Sequence, residues 1–123
     1  MNYTGIVQKG DQQGEVLGFR TVNIPLRDTA VSGVYTAKVK VGDESYEAVA
    51  FADQVRKVLE AHLLDFPDQG RSASGGSVDL YGWKVTIVLL KKIRERKQFS
   101  DDEKLKRAIA RDIEEARAYF REK

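Results

Sequence analysis

The sequence predicts a mainly β protein, built as an antiparallel barrel or sandwich, with one α-helix at its C-terminal end. Short segments rich in β-branched and aromatic residues fill the first two-thirds of the chain, and the last quarter changes to helical periodicity. No helical pattern separates the β segments, which disfavours a doubly wound parallel sheet. The Gly42-Asp43 pair, which lies between two of these segments, is a strong hairpin signal.

Five stretches of the sequence are predicted to be strands, and they are residues 3–9, 33–41, 45–52, 55–66 and 83–93. The Gly-Asp pair joins the second of these strands to the third. Residues 69–77, QGRSASGGS, have the composition of a flexible loop between the last two strands, and their sequence suggests no chemistry.

The C-terminal helix is predicted over residues 100–121. Ser100 is a suitable N-cap, Glu103 completes a capping box with it, and Asp101 and Asp102 complement the positive end of the helix. One side of the helix carries an apolar stripe: Leu105, Ile109, Ile113, Ala116 and Phe120. The opposite side is charged: Lys106, Arg107, Arg111, Glu114, Arg117 and Arg121. We therefore expect the helix to pack on the barrel through its apolar stripe.

Length and composition exclude several classes of protein. A chain of 123 residues and 13.9 kDa predicts a single domain over residues 1–123. The chain has no cysteine, which excludes disulfides and cysteine nucleophiles and fits a cytoplasmic location. A net charge of +2, with acidic Asp112, Glu114 and Glu115 diluting the basic side of the helix, argues against nucleic-acid and membrane partners. We expect a monomer.

A glycine-rich segment near the N-terminus could bind phosphate groups. It contains Gly5, Gly10, Gly14 and Gly18, whose backbone can approach a ligand closely. The segment matches neither a Walker loop nor a dinucleotide fingerprint, so the pattern by itself favours a plain glycine-rich hairpin over a phosphate-binding loop.

Thr21 and Asn23 follow the glycine-rich segment and are separated by one residue. In an extended chain both side chains point to the same side, and their oxygens are of the kind that Mg²⁺ accepts beside nucleotide phosphates. The alternative is a pair of turn residues that cap backbone groups.

Glu60 is the carboxylate that stands out, because it interrupts the apolar sequence VLEAHLLDF. Strand alternation predicts that Val58, Glu60, His62, Leu64 and Phe66 share one face, while the other face, with Leu59, Ala61 and Leu63, forms the barrel interior. A carboxylate in such a strand either forms a structural pair or acts as a base. His62 is interpreted as a packed histidine of the strand.

Six stretches of the chain, in register, resemble the riboflavin kinase family, including the kinase module of bifunctional bacterial riboflavin kinase/FAD synthetases. The family opens on G-x-V, a Gly-rich loop and LGFPTAN, which are similar to Gly5, Val7 and LGFRTVN at residues 17–23. Its later patterns are similar to GVY at 33–35, EAHLLDF at 60–66, DLYG at 79–82 and IRERKQFS at 93–100.

The resemblance implies a six-stranded antiparallel Greek-key barrel with a C-terminal helix. It also implies a kinase that transfers the γ-phosphate of ATP to the 5′-hydroxyl of riboflavin and produces FMN and ADP. A divalent cation, Mg²⁺ or another, is implied as the cofactor.

The resemblance also assigns roles to residues. Glu60 matches the family's carboxylate base, and Thr21 and Asn23 match the residues that hold the metal and the phosphates. The implied nucleotide-binding residues are Gly10, Gly14, Gly18, Leu63, Asp65 and Tyr81, and the implied flavin-binding residues are Arg94, Lys97 and Phe99.

The chain departs from the family pattern in ways that bear on catalysis. Arg20 replaces the proline before the threonine, and Glu15 stands where the family usually has a basic residue. The family's N-I-G-x-x-P-T-F loop between two strands is missing. These departures motivate an alternative prediction, a flavin- or nucleotide-binding barrel with weak or no kinase activity.

Overall fold

Six strands and one helix make up the part of the chain that the computed structural model describes, which is residues 1–8, 20–64 and 82–122. In chain order they are β1 (Asn2–Ile6), β2 (Arg20–Pro25), β3 (Gly33–Val41), β4 (Glu44–Asp53), β5 (Val58–Leu63), β6 (Lys84–Arg94) and α1 (Asp102–Arg121).

The six strands form one antiparallel sheet in the order β1-β6-β3-β4-β5-β2. The consecutive strands β3, β4 and β5 are neighbours, and β6 returns to lie beside β3, which is the Greek-key arrangement. The outer strands β1 and β2 approach each other, and the Gln8 N–H donates to the Asn23 carbonyl at 2.7 Å. The sheet is therefore a nearly closed barrel, as the sequence predicts.

One close approach of the backbone and one hydrogen bond hold the barrel together where β1 meets β2. A Cβ atom on Gly5 would lie 3.0 Å from the Ile24 Cβ, so glycine allows the two strands to approach. The Tyr3 hydroxyl donates to Asp28 Oδ2 at 2.8 Å and links β1 to the segment after β2.

Two apolar clusters lie on opposite faces of the sheet. The larger one fills the barrel interior and includes Leu59, Ala61 and Leu63, which confirms the predicted alternation of β5. The second cluster lies outside the barrel, where Val49 and Leu64 meet buried residues of α1. The outer face of β5 is therefore the face that carries Glu60.

The strands differ most from prediction in two segments. The segment 20–25 was not among the predicted strands, but it forms β2 because it pairs with β5 along its whole length. Val55 is predicted to begin a strand, whereas the structure places it in the turn of residues 54–57. Asp53 Oδ1 accepts the backbone N–H groups of Val55 and Arg56 at 3.0 and 3.1 Å, which fixes the turn and delays β5 to Val58.

The helix begins one residue later than predicted. Asp101, not Ser100, is the N-cap: its backbone is extended and its Oδ1 accepts the Lys104 N–H at 2.9 Å. The prediction of a capping box between Ser100 and Glu103 is therefore wrong. Among the residues described, no helix is long and apolar enough to cross a membrane.

The apolar stripe of α1 packs on the barrel as predicted. Ile109, Ile113 and Ala116 are buried in the outer cluster, and Leu105 and Phe120 are half-buried at its edges.

Candidate active site

A cleft of about 380 Å³ lies between the outer face of the barrel and the first half of α1. Its walls come from the ends of β3 and β4, the middle of β5, the segment after β6 and the beginning of α1. Four residues that the sequence analysis selected from distant parts of the chain line this cleft together: Glu60, Arg94, Lys97 and Phe99.

Glu60 is 2% exposed and lies at the bottom of the cleft. Its Oε1 is 3.6 Å from Arg56 Nη2, and its Oε2 is 3.6 Å from His62 Nε2. Both distances are too long for hydrogen bonds. Oε2 has no hydrogen-bond partner among the residues described. A buried structural carboxylate is normally hydrogen-bonded, so this geometry favours the interpretation of Glu60 as a group that meets a ligand.

His62 has a second partner on the outer face of the sheet. Its ring lies 4.7 Å from that of Phe51, centroid to centroid, and the side chain is 1% exposed. The ring contact agrees with the interpretation of His62 as a packed histidine. The side chain also lines the cleft, and its Nδ1 has no hydrogen-bond partner among the described residues.

Thr21 and Asn23 lie beside Glu60 on the same face of the sheet. Asn23 pairs with Glu60, and Thr21 pairs with His62, across the β2–β5 ladder. Residues directly opposite each other in antiparallel strands project to the same face. Asn23 is 3% exposed, and its Oδ1 has no hydrogen-bond partner among the described residues.

The side-chain oxygen of Asn23 fits a divalent cation that is bound together with phosphate. The unpaired Asn23 Oδ1 is a hard oxygen ligand of the type that Mg²⁺ accepts. Within residues 1–8, 20–64 and 82–122 there is no group of three or more His, Cys, Asp or Glu residues placed to hold a metal ion. A cation at this position would need further oxygen ligands, which nucleotide phosphates and water can supply.

Arg94 is held by a partner that the sequence analysis did not identify. Its Nε and Nη2 donate to the two carboxylate oxygens of Asp112 at 2.9 and 2.8 Å, and Asp112 is 2% exposed. From the sequence, Asp112 is expected to lie on the solvated, charged side of the helix. Its spacing of three residues from Ile109 and four from Ala116 places it on the apolar stripe, and this pattern could have revealed it.

Phe99 forms one wall of the cleft and is half-buried. The Arg94 guanidinium lies 5.7 Å from the centre of the ring, and Lys97 Nζ lies 5.8 Å from it. These cation–π contacts organise the segment after β6 and leave an aromatic surface at the cleft.

Two further arginines, Arg56 and Arg96, line the cleft opposite Asp53. Burial alone would raise the pKa of the Asp53 carboxyl, but hydrogen bonds from the side chain and backbone of Arg56 hold it below its ordinary value. Asp53 Oδ1 is also 4.0 Å from Arg96 Nε. Neither arginine was identified from the sequence, because only the fold shows that the turn of residues 54–57 faces the segment after β6.

Three predicted site residues that the structure describes, Thr21, Asn23 and Leu63, do not line the cleft. The Leu63 side chain is 1% exposed and packs inside the barrel, so a contact of Leu63 with the nucleotide would have to use its backbone. Five further predicted site residues, like Glu15, lie outside the described residues: Gly10, Gly14, Gly18, Asp65 and Tyr81. Their roles stay predictions.

Comparison with known proteins agrees with this architecture. A family model described as riboflavin kinase matches residues 1–120. The bifunctional riboflavin kinase/FMN adenylyltransferase of Escherichia coli (strain K12) is 37% identical over 126 residues, which cover 95% of this chain and 37% of that protein.

Two solved structures share the fold. Riboflavin kinase from Trypanosoma brucei aligns with a TM-score of 0.58 at 24% identity, over 98% of this chain and 79% of that one. A macrolide-efflux protein from Streptococcus pneumoniae aligns with a TM-score of 0.71 at 24% identity, over 94% of this chain and 36% of that one.

A Greek-key barrel whose cleft brings together a buried carboxylate, basic side chains and an aromatic wall has the features that are typical of a small-molecule site. The match over residues 1–120 gives the family: the chain belongs to the riboflavin kinase family. It spans 37% of the length of its Escherichia coli relative.

Proposed function

We propose that the protein is a riboflavin kinase, which transfers the γ-phosphate of ATP to the 5′-hydroxyl of riboflavin and produces FMN. One observation carries this proposal: a single cleft contains the buried carboxylate Glu60 together with Arg94, Lys97 and Phe99. In this reaction a carboxylate can accept the proton of the acceptor hydroxyl, basic side chains can neutralise phosphate charge, and an aromatic wall can hold the flat flavin ring.

Glu60 acts as the base in the proposed reaction. A bond forms between the ribityl 5′-oxygen and the γ-phosphorus, and the bond from that phosphorus to the β,γ-bridging oxygen breaks, so that ADP leaves with the bonding electrons. The proton of the 5′-hydroxyl passes to Glu60 Oε2, the oxygen that lacks a hydrogen-bond partner in the described part of the chain. A general base contributes about 10²–10⁴-fold to such a step.

Thr21 and Asn23 are proposed to hold a divalent cation, and the unpaired Asn23 Oδ1 supports this role. The cation would neutralise charge on the nucleotide phosphates. Asn23 pairs with Glu60 across the ladder, which supports a phosphate donor bound beside the proposed base.

The flavin is proposed to bind against Phe99. Its half-buried ring offers an apolar surface, and Lys97 beside it supplies a positive charge. The role of Arg94 is then mainly indirect, because Asp112 occupies one side of its guanidinium fork.

A flavin- or nucleotide-binding barrel with weak or no kinase activity is the second candidate. It is favoured by the connection between β4 and β5, which consists only of residues 54–57 where the family pattern has a longer loop. A shorter connection covers the cleft less, so that water reaches it more easily.

Purified protein incubated with riboflavin, ATP and Mg²⁺ tests both candidates. We expect FMN to form with turnover and to require both ATP and the cation, as followed by chromatography of the flavins. Riboflavin binding without FMN would favour the second candidate, and the absence of both binding and FMN would contradict both.

We further propose a monomer that acts in the cytoplasm without nucleic-acid or membrane partners. A cysteine-free chain suits a reducing compartment, and ATP is available there. Light scattering after size-exclusion chromatography should give a mass near 13.9 kDa.

A further inference from the structure

Arg56 reaches the cleft from the turn that joins β4 to β5. Its Nε donates to Asp53 Oδ2 at 2.7 Å, and its Nη2 lies 3.6 Å from Glu60 Oε1. The guanidinium therefore bridges an anchored carboxylate on β4 and the buried carboxylate on β5.

We propose that Arg56 is a positioning residue for Glu60, an inference that rests on the proposed kinase function. Arg56 attracts Oε1 of the Glu60 carboxylate, which leaves Oε2 as the oxygen that meets the acceptor hydroxyl. Oε2 is the Glu60 oxygen that lacks a hydrogen bond within the described ranges. The planar guanidinium suits this task because its donors have fixed directions.

Asp53 holds Arg56 in place through both of its carboxylate oxygens. Oδ2 accepts from the Arg56 side chain, and Oδ1 accepts from its backbone N–H. The Arg56 side chain is 39% exposed, and the contact with Asp53 restricts the directions that its guanidinium can take. The anchor gives the ion pair with Glu60 a defined geometry.

The shortness of the turn is what brings Arg56 to Glu60. Residues 54–57 connect the strands directly, and Lys57 adopts a left-handed φ of 59° that closes the turn. Arg56 lies in the turn and Glu60 lies four residues later on β5, and both line the same cleft.

A double-mutant cycle in turnover tests this proposal on the purified protein. Arg56→Gln should lower kcat about tenfold with little change in KM for riboflavin, because a misdirected base affects the chemical step rather than binding. In a Glu60→Gln background, Arg56→Gln should cause no further loss, because the group it positions is already gone.

Two variants separate positioning from folding and from net charge. Arg56→Lys keeps the positive charge near Glu60 and should recover part of the turnover lost in Arg56→Gln. Lys57→Gln removes one positive charge from the same turn at a residue outside the cleft lining, and it should keep wild-type kcat.

The outcomes distinguish this proposal from the proposed function. A wild-type protein that forms no FMN would contradict the kinase function itself. If the wild type is active, normal kcat in Arg56→Gln would overturn only the role of Arg56. Equal losses from Arg56→Gln in the wild-type and Glu60→Gln backgrounds would also overturn it, because Arg56 would then act independently of Glu60.

Discussion

Three buried polar side chains around the cleft differ in how well they are paired. Asp112 receives two hydrogen bonds from Arg94, whereas Glu60 and Asn23 each keep an oxygen without a partner in the described part of the chain. Leaving a buried polar atom unpaired costs about 1–3 kcal/mol, a cost that a bound ligand can remove. This difference supports a structural role for Asp112 and the proposed ligand-binding roles of Glu60 and Asn23.

Replacing Asn23 with alanine should weaken the binding of magnesium nucleotide by about tenfold, because an oxygen ligand near charged phosphates is lost. Isothermal titration calorimetry with Mg²⁺ and ADP measures this. Asn2→Ala, which removes an exposed asparagine on β1, should leave the affinity unchanged. Unchanged affinity in a folded Asn23→Ala protein would show that the assignment is wrong.

Single site residues were predictable from the sequence where they break a local pattern. Glu60 interrupts an apolar strand, and Asn23 shares a side with Thr21, so both could be selected as candidates. Arg56 breaks no local pattern, and its ion pair with Glu60 is visible only once the turn of residues 54–57 is known. The burial of Asp112 is explained by its ion pair with Arg94 on β6, and only the fold shows that these two residues meet.

At the scale of elements, the start of β3 is constrained by a backbone contact. Gly33 has a φ of 102°, and a Cβ atom there would lie 2.5 Å from the Arg94 carbonyl oxygen. A side chain at this position would therefore push β3 away from β6, next to the cleft.

Gly33→Ala should lower the free energy of unfolding by about 2 kcal/mol or more, through backbone strain and the clash with Arg94. Urea unfolding measures the effect. Gly42→Ala is the matched control: Gly42 also has a positive φ, of 60°, but no atom lies within 4 Å of the added Cβ. Equal losses of unfolding free energy in both variants would show that the clash between the added Cβ and the Arg94 carbonyl oxygen does not destabilise the protein.

The attachment of α1 depends on its apolar stripe. Ile113 is 6% exposed in the outer cluster, so Ile113→Ala should cost about 2–4 kcal/mol of the free energy of unfolding. Ile6→Ala, at a residue that is 52% exposed, should cost much less. Similar losses in the two variants by urea unfolding would contradict the packing of the helix.

Among the elements, the helix was predicted from its own sequence, but β2 was not. The stripe of α1 repeats with helical periodicity over five residues, so local sequence is sufficient. β2 is short and follows a glycine-rich segment, and its conformation comes from pairing with β5. The Greek-key order came from the family resemblance, because residue patterns alone left barrel and sandwich open.

At the scale of the whole molecule, closure of the barrel should make stability depend on alkaline pH. Burial and the hydrogen bond to Asp28 raise the pKa of Tyr3 from 10.0 to about 12. A group whose pKa is raised on folding contributes stability that is full below its unfolded pKa and is lost as the pH rises through the folded pKa.

Wild-type protein should therefore lose stability between pH 10 and about 12 partly through Tyr3, and Tyr3→Phe should lose less over the same interval. Urea unfolding midpoints of both proteins across this interval measure the difference. Parallel pH curves for the two proteins would contradict the role of the Tyr3–Asp28 contact in closing the barrel.

The cleft and the outer apolar cluster lie on the outer face of the sheet, and the interior cluster lies on its inner face. The interior cluster packs against the inner face of β5 through Leu59 and Ala61, and the outer cluster holds α1 on the outer face of the sheet. Packing on both faces of the sheet supports accurate placement of Glu60, the proposed base.

Turnover of Glu60→Gln, measured together with its riboflavin affinity and its urea unfolding midpoint, tests the central claim most directly. We expect kcat to fall by about 10²-fold or more, with riboflavin affinity and folding changed little, because glutamine keeps the size of the side chain but cannot accept the proton. A folded, riboflavin-binding Glu60→Gln protein with wild-type turnover would contradict the assignment of Glu60 as the base.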